Sequence, residues 1–185
     1  ISREKSFFYD HSSLNKIIND NEFIESYSLA KLKSFNPNIF NCCDKHRMYI
    51  EIIHNSNKDI KEAAVFNETG IIGQVVNNKS YYEVMLLTDT KSSIPLTNSK
   101  ENFYCNALGS GVSGYITCSY NQLVWSDDHE LGEKFFSSGL GGIYPKGIEI
   151  GNLESIKIVD TSTTLLTIKL ISNPLHSNLF GVIKL

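Results

Sequence analysis

No apolar run in this chain approaches the roughly twenty residues that a membrane-spanning helix needs, and no signal peptide opens it. No stripe of lysine and arginine appears either. At a net charge of −3 the composition gives no reason to expect nucleic acid or an anionic membrane surface as a partner. The four cysteines include no CxxC pair with companion histidines, which excludes a structural zinc site. HExxH, HxH and DxDxDG are all missing, and Asp127-Asp128-His129 reads as a solvated loop, so no metal is expected. A hydrophobic share of 41% excludes wholesale disorder.

Nucleophile–base patterns are also lacking. SSGLGG around Ser138 superficially looks like the nucleophile loop GDSGG of chymotrypsin-like proteases, without its Asp or its directly following glycines. GVSG around Ser113 has the wrong spacing for a GxSxG elbow. The position completing GxGxxG is Tyr144, and a strand pattern follows where a nucleotide loop needs a helix. Neither an enzyme nor a cofactor is expected.

What the chain does have is the stretch SGLGGIYPKGIEIG from Ser138 to Gly151. Its glycines suit sharp reversals, and Pro145 pushes Tyr144 toward an extended conformation. Ile148 and Ile150 then point to one side of a new strand. Strands at Leu131–Ser137 and Ile148–Val159 are therefore expected to meet at a rigid corner. Its residues are Ser138, Gly139, Leu140, Gly141, Gly142, Pro145, Lys146 and Gly147.

Around that corner lie short runs rich in Ile, Val, Tyr and Phe, separated by Asn, Pro and Gly turns. They predict strands at Ser28–Phe35, Arg47–His54, Glu62–Phe66, Ile71–Asn77 and Tyr81–Thr88. Others follow at Ser93–Thr97, Asn102–Leu108, Tyr115–Tyr120, Thr163–Ile171 and Leu179–Lys184. The fold class is mainly β: two small antiparallel barrels or sandwiches behind a short N-terminal helix. That helix, over residues 1–26, has Ser12 or Ser13 as its cap, and Leu14, Ile17, Ile18 and Ile24 fall near a 3.5-residue spacing. It reads either as the end of a coiled coil or as a single helix packed on the following domain.

Cys42 and Cys43 are neighbours and are not expected to bridge each other. Cys105 and Cys118 lie symmetrically about the turn GSGVSG and are read as two half-buried thiols in preference to a cross-strand disulfide. Of the aromatic clusters, consecutive Phe135 and Phe136 must point to opposite faces of a regular strand, so one is buried and the other covered or offered to a partner. Phe135, Phe136 and Tyr144 are the candidate partner-binding residues. A carbohydrate-binding β-module holding peptidoglycan is the alternative reading, with Trp125 and Tyr120 as its aromatic platform.

SGLGGIYPKGIEIG at 138–151 closely resembles the signature loop of the bacterial rod shape-determining protein family MreC. GIIGQVV at 70–76 and YEVMLLTDTKSSIPL at 82–96 are similar to that family's paired strands and the Thr-Asp turn between its domains. The hairpin around Leu108-Gly109-Ser110-Gly111 and the closing NPLHSNLFGVIKL at 173–185 fit as well. The resemblance runs from about residue 12 to the end. It implies a coiled-coil remnant at 1–26, a first β-domain at 26–88 plus 173–185, and a second at 89–172. It also implies a non-enzymatic, extracytoplasmic scaffold of the cell-elongation machinery. Such a scaffold self-associates as a dimer or filament and contacts membrane-anchored peptidoglycan synthases. The chain begins at Ile1, not Met, and an upstream membrane anchor is expected outside it. Leu131 to Ser137 departs from the small aliphatics usual before the family's loop, which bears on partner specificity.

Overall fold

The computed structural model describes Leu14 and residues 27–41, 44–54, 59–78, 81–125 and 128–185. Twelve strands run through them and close into two six-stranded antiparallel barrels. The first is built from β1 (Ser28–Phe35), β2 (Arg47–His54), β3 (Ala64–Asn67), β4 (Gly70–Asn78), β5 (Tyr82–Leu86) and the last strand, β12 (Leu179–Ile183). The second contains β6 (Ser93–Asn98), β7 (Tyr104–Gly109), β8 (Tyr115–Asn121), β9 (Lys134–Ser137), β10 (Glu149–Ile158) and β11 (Thr163–Leu170). Around each barrel the orders are β1-β12-β3-β4-β5-β2 and β10-β11-β8-β7-β6-β9. The second barrel is thus inserted whole between two strands of the first. Closure removes most of the free edge that a sheet of this size would otherwise expose.

Strand alternation fills both interiors. Met48, Ile50, Val65, Val75, Val84, Phe180 and Val182 form the dry centre of the first barrel. In the second, Ile116 and Cys118 on β8 face inward with Leu166 and Ile168 on β11. Phe103 is the hub of an aromatic cluster, with ring centroids 5.1 Å from Tyr120, 5.5 Å from Trp125, 4.4 Å from His129 and 6.1 Å from Phe135. Tyr120 is buried and Trp125 is packed edge-on against Phe103, so these two rings do not form the exposed platform that the carbohydrate reading requires.

The first barrel also buries apolar residues on its outside. Gly181 of β12 lies opposite Phe66 of β3, and a Cβ there would stand 2.1 Å from the Phe66 ring. The missing side chain lets that ring lie flat across the neighbouring strand. Tyr27 packs edge-on against it at 5.6 Å. The helix expected over residues 1–26 lies outside the described residues except for Leu14, which has helical backbone and is buried in the cluster containing Phe66.

Two expectations need correction. The Asn36-Pro37-Asn38 turn opens a four-residue helix, α1 (Asn38–Asn41), because the Asn36 side chain accepts from the Asn38 amide at 3.0 Å and Pro37 enters with its φ preset. Cys105 and Cys118 are bonded, at 2.06 Å between sulfurs. The β7–β8 register explains how. It pairs Leu108 with Thr117 and Gly109 with Ile116, two residues away from the symmetric hairpin. The two cysteines consequently sit diagonally on one inward face, with Cα atoms 6.2 Å apart, within the range a disulfide spans.

Candidate functional site

The glycine-rich stretch forms the expected corner between β9 and β10, and no helix starts from it. Gly139, Gly141, Gly142 and Gly147 take φ of 77°, 80°, 68° and 86°, values that side chains rarely adopt. Two serines fix its shape. The Ser137 hydroxyl donates to the Pro145 carbonyl and accepts from the Ile148 amide, while the Ser138 amide and hydroxyl both donate to the Pro95 carbonyl. A Cβ at Gly139 would stand 2.8 Å from that of Lys146, so the two arms of the corner touch there.

Tyr144 carries the corner across to the first barrel. Its ring is only 1% exposed, and its hydroxyl donates to Gln74 Oε1 on β4 at 3.2 Å. Burial pushes its hydroxyl pKa far above the ordinary tyrosine range. Tyr144→Phe is expected to lower stability by about 1 kcal/mol, the usual net worth of one hydrogen bond. Denaturant unfolding of the two chains checks this; equal midpoints would mean that the hydroxyl contributes nothing across the seam.

The connection between the barrels is clamped at a second point. Asp89, between β5 and β6, is 1% exposed. Its Oδ2 accepts from Arg47 Nε at 2.8 Å and from the His46 amide at 2.9 Å, and Oδ1 accepts from the Lys91 amide at 2.9 Å. His46 Nδ1 lies 2.7 Å from Thr88 Oγ1. Burial lowers the His46 pKa, and the Asp89 charge partly offsets that. Gly109, at the end of β7, presses its Cα face onto the Asp89 backbone.

Among the described residues the histidine–threonine pair is the nearest approach to a base and a nucleophile, but the carboxylate beside it holds the His46 backbone instead of orienting the ring. Among the other described histidines, His129 bonds Glu133 and His176 bonds Glu68. No cluster of three metal-ligating side chains occurs among the described residues, and none of their helices is long and apolar enough to cross a membrane.

The partner-binding candidates separate. Phe135 is 0% exposed and points into the second barrel; with Tyr144 it belongs to the core, because the barrel and the seam close over both rings. Phe136 faces outward and is half-buried. Leu140 stands exposed at the tip of the corner. Sequence reasoning missed a cleft of about 320 Å³ beside the seam, lined by Ile39, Phe40, Ile72, Leu87, Leu170 and Leu175. Its only advance signal was a run of turn residues around Pro174.

The family model described as "Rod shape-determining protein MreC, barrel core" matches residues 40–184. The chain belongs to the MreC family. It is 31% identical over 93 residues to the cell shape-determining protein MreC of Haemophilus influenzae, an alignment spanning 50% of this chain and 26% of that protein. The chain therefore spans about a quarter of that relative's length. A solved MreC structure superposes with a TM-score of 0.74 at 22% identity, covering 94% of this chain and 96% of the other. The MreC of a complex with penicillin-binding protein 2 from Helicobacter pylori gives 0.63 at 18% identity, covering 85% and 96%. The major periplasmic domain of a cell shape-determining filament MreC gives 0.66 at 18%, covering 85% and 94%. At these identities the structural matches carry the fold. MreC proteins determine cell shape and are not enzymes.

Proposed function

We propose that this chain is the extracytoplasmic part of a non-enzymatic scaffold that organises peptidoglycan synthases for side-wall growth and associates with its own copies. The observation that carries this reading is the seam. Tyr144–Gln74 and Arg47–Asp89 hold two closed barrels in one arrangement, which suits a body that presents fixed surfaces to other macromolecules. An MreC of the same fold has been solved with a penicillin-binding protein, and another is described as part of a filament. Residues 26–88 with 173–185 form one domain and 89–172 the other. A membrane anchor lies upstream. The corner from Ser138 to Gly147 sets the shape, with exposed Leu140 at its tip and half-buried Phe136 on the adjoining β9 offered to a partner.

Site-specific photocrosslinking from Leu140 and from the cleft residue Phe40 in growing cells is the test. Adducts with membrane-anchored cell-wall synthases, or with a second copy, are expected. If neither is captured from any position on either barrel, the scaffold reading has lost its basis.

A further inference from the structure

The end of the second barrel remote from the seam carries an apolar patch beside a partly unpaired strand. β8 starts at the seam, where the Gly111 amide donates to the Thr88 carbonyl, and runs outward to Asn121. There Thr163 pairs with Asn121 and the Gln122 amide donates to the Ser162 carbonyl, which brings Leu123 and Val124 beside the β10–β11 turn. Leu123 is 83% exposed and Ile158 71%, with Val124, Val159 and Ile156 exposed nearby. Exposed Leu131 joins them through Gly132, whose amide donates to the Leu153 carbonyl.

β10 outruns its neighbour at this point. Glu149 to Asn152 pair with β9, and Leu153 still bonds Gly132 and Glu133. Among the described residues, Ser155 to Ile158 pair with β11 alone. A strand with one side unpaired and apolar side chains along it is a template for another strand.

The rim decides what would cover it. Asp128, Glu130, Glu154 and Asp160 are exposed around the patch, against Lys100 and Lys157. That balance repels anionic lipid headgroups, and it sets like charges together if two copies meet tip to tip. It complements a strand whose apolar residues are flanked by Lys or Arg. We infer that this end of the second barrel receives an extended, basic-flanked segment of a partner protein as an added strand on β10. The inference rests on the scaffold reading and takes that partner to be a peptidoglycan synthase. An edge of four residues forms few backbone bonds, so the apolar contacts of Ile156, Ile158 and Val159 are the affinity-determining part.

The test titrates the 185-residue chain with the purified extracytoplasmic part of the elongation transpeptidase from the same cell. Variants Ile158→Lys, Glu154→Lys and Ile158→Lys/Val159→Lys are compared with Ile53→Lys, which alters the exposed face of β2 on the other barrel. All four change side chains on the surface, and amide spectra confirm that each folds. At least a tenfold loss of affinity is expected for the three tip variants and none for Ile53→Lys. Weakening with added salt and new hydrogen-exchange protection at Ser155–Ile158 are expected as well. Equal binding by all variants overturns the strand-addition site and leaves the scaffold reading standing. Loss of self-association in place of synthase binding also overturns it, because a second copy is then the occupant. No binding by the unmodified chain also overturns the strand-addition site, and the crosslinking experiment decides the scaffold reading separately.

Discussion

Asp89→Ala is expected to lower the unfolding free energy by about 3–5 kcal/mol, the range for removing one partner of a buried ion pair. The carboxylate is almost wholly buried and accepts three hydrogen bonds, one of them from Arg47. Without it Arg47 remains buried, with Glu83 Oε1 at 3.5 Å as its remaining anionic neighbour. The amides of His46 and Lys91 lose their acceptor at the same time. Asp89→Asn keeps an acceptor and removes the charge, so its loss should be smaller. Arg47→Met combined with Asp89→Ala should recover part of the loss, since the double variant has no stranded charge. Denaturant unfolding of the four chains provides the measurement. A loss below about 1 kcal/mol for Asp89→Ala would place this pair with the weak exposed ones, and the clamp would not be what holds the barrels.

Gly109→Val is expected to be as damaging for a different reason. An added Cβ would stand 1.8 Å from the Asp89 carbonyl oxygen and 2.4 Å from its carbon. Those are backbone atoms held by the clamp, so they cannot rotate away as a side-chain tip would. Either β7 shifts or the β5–β6 connection leaves its place. The expected cost is at least about 3 kcal/mol, the upper end of overpacking. Gly114, in the same hairpin, is the control: its φ is 85°, yet nothing lies within 4 Å of an added Cβ. Gly114→Ala should cost about 1 kcal/mol, from left-handed backbone strain alone. Thermal or denaturant unfolding ranks the two. The reverse order would show that close approach at Gly109 is not what that position requires.

Much of the architecture was readable because strands report themselves locally. Ser28–Phe35 and Arg47–His54 have the bounds that their alternation indicates, and each of the other ten strands lies within a few residues of its expected place. β9 is shorter than Leu131–Ser137 because Gly132 takes a φ of 84° and the Glu133 amide turns back to the Glu130 carbonyl. Register was not readable. The offset that brings Cys105 and Cys118 together depends on how the β7–β8 turn closes, and bulges such as that between Leu153 and Ser155 leave no mark in a period-two pattern. Seam partners were hidden for the same reason. Thr88-Asp89 was recognisable, but nothing local shows that Arg47, more than forty residues earlier in the chain, would meet it. Tyr144, between glycines and a proline, was a candidate for contact with a partner; it is buried because the corner folds against the other barrel.

The nesting of one barrel within the other sets an order on synthesis. β6 to β11 are contiguous, so everything the second barrel needs has been synthesised once Leu170 has been added. β1 and β3 are made far earlier, yet the strand that must slot between them is β12. The barrel whose first strands are made earliest is therefore the last to be completed, and a chain truncated before Leu179 would hold every strand of the second barrel beside a gap in the first.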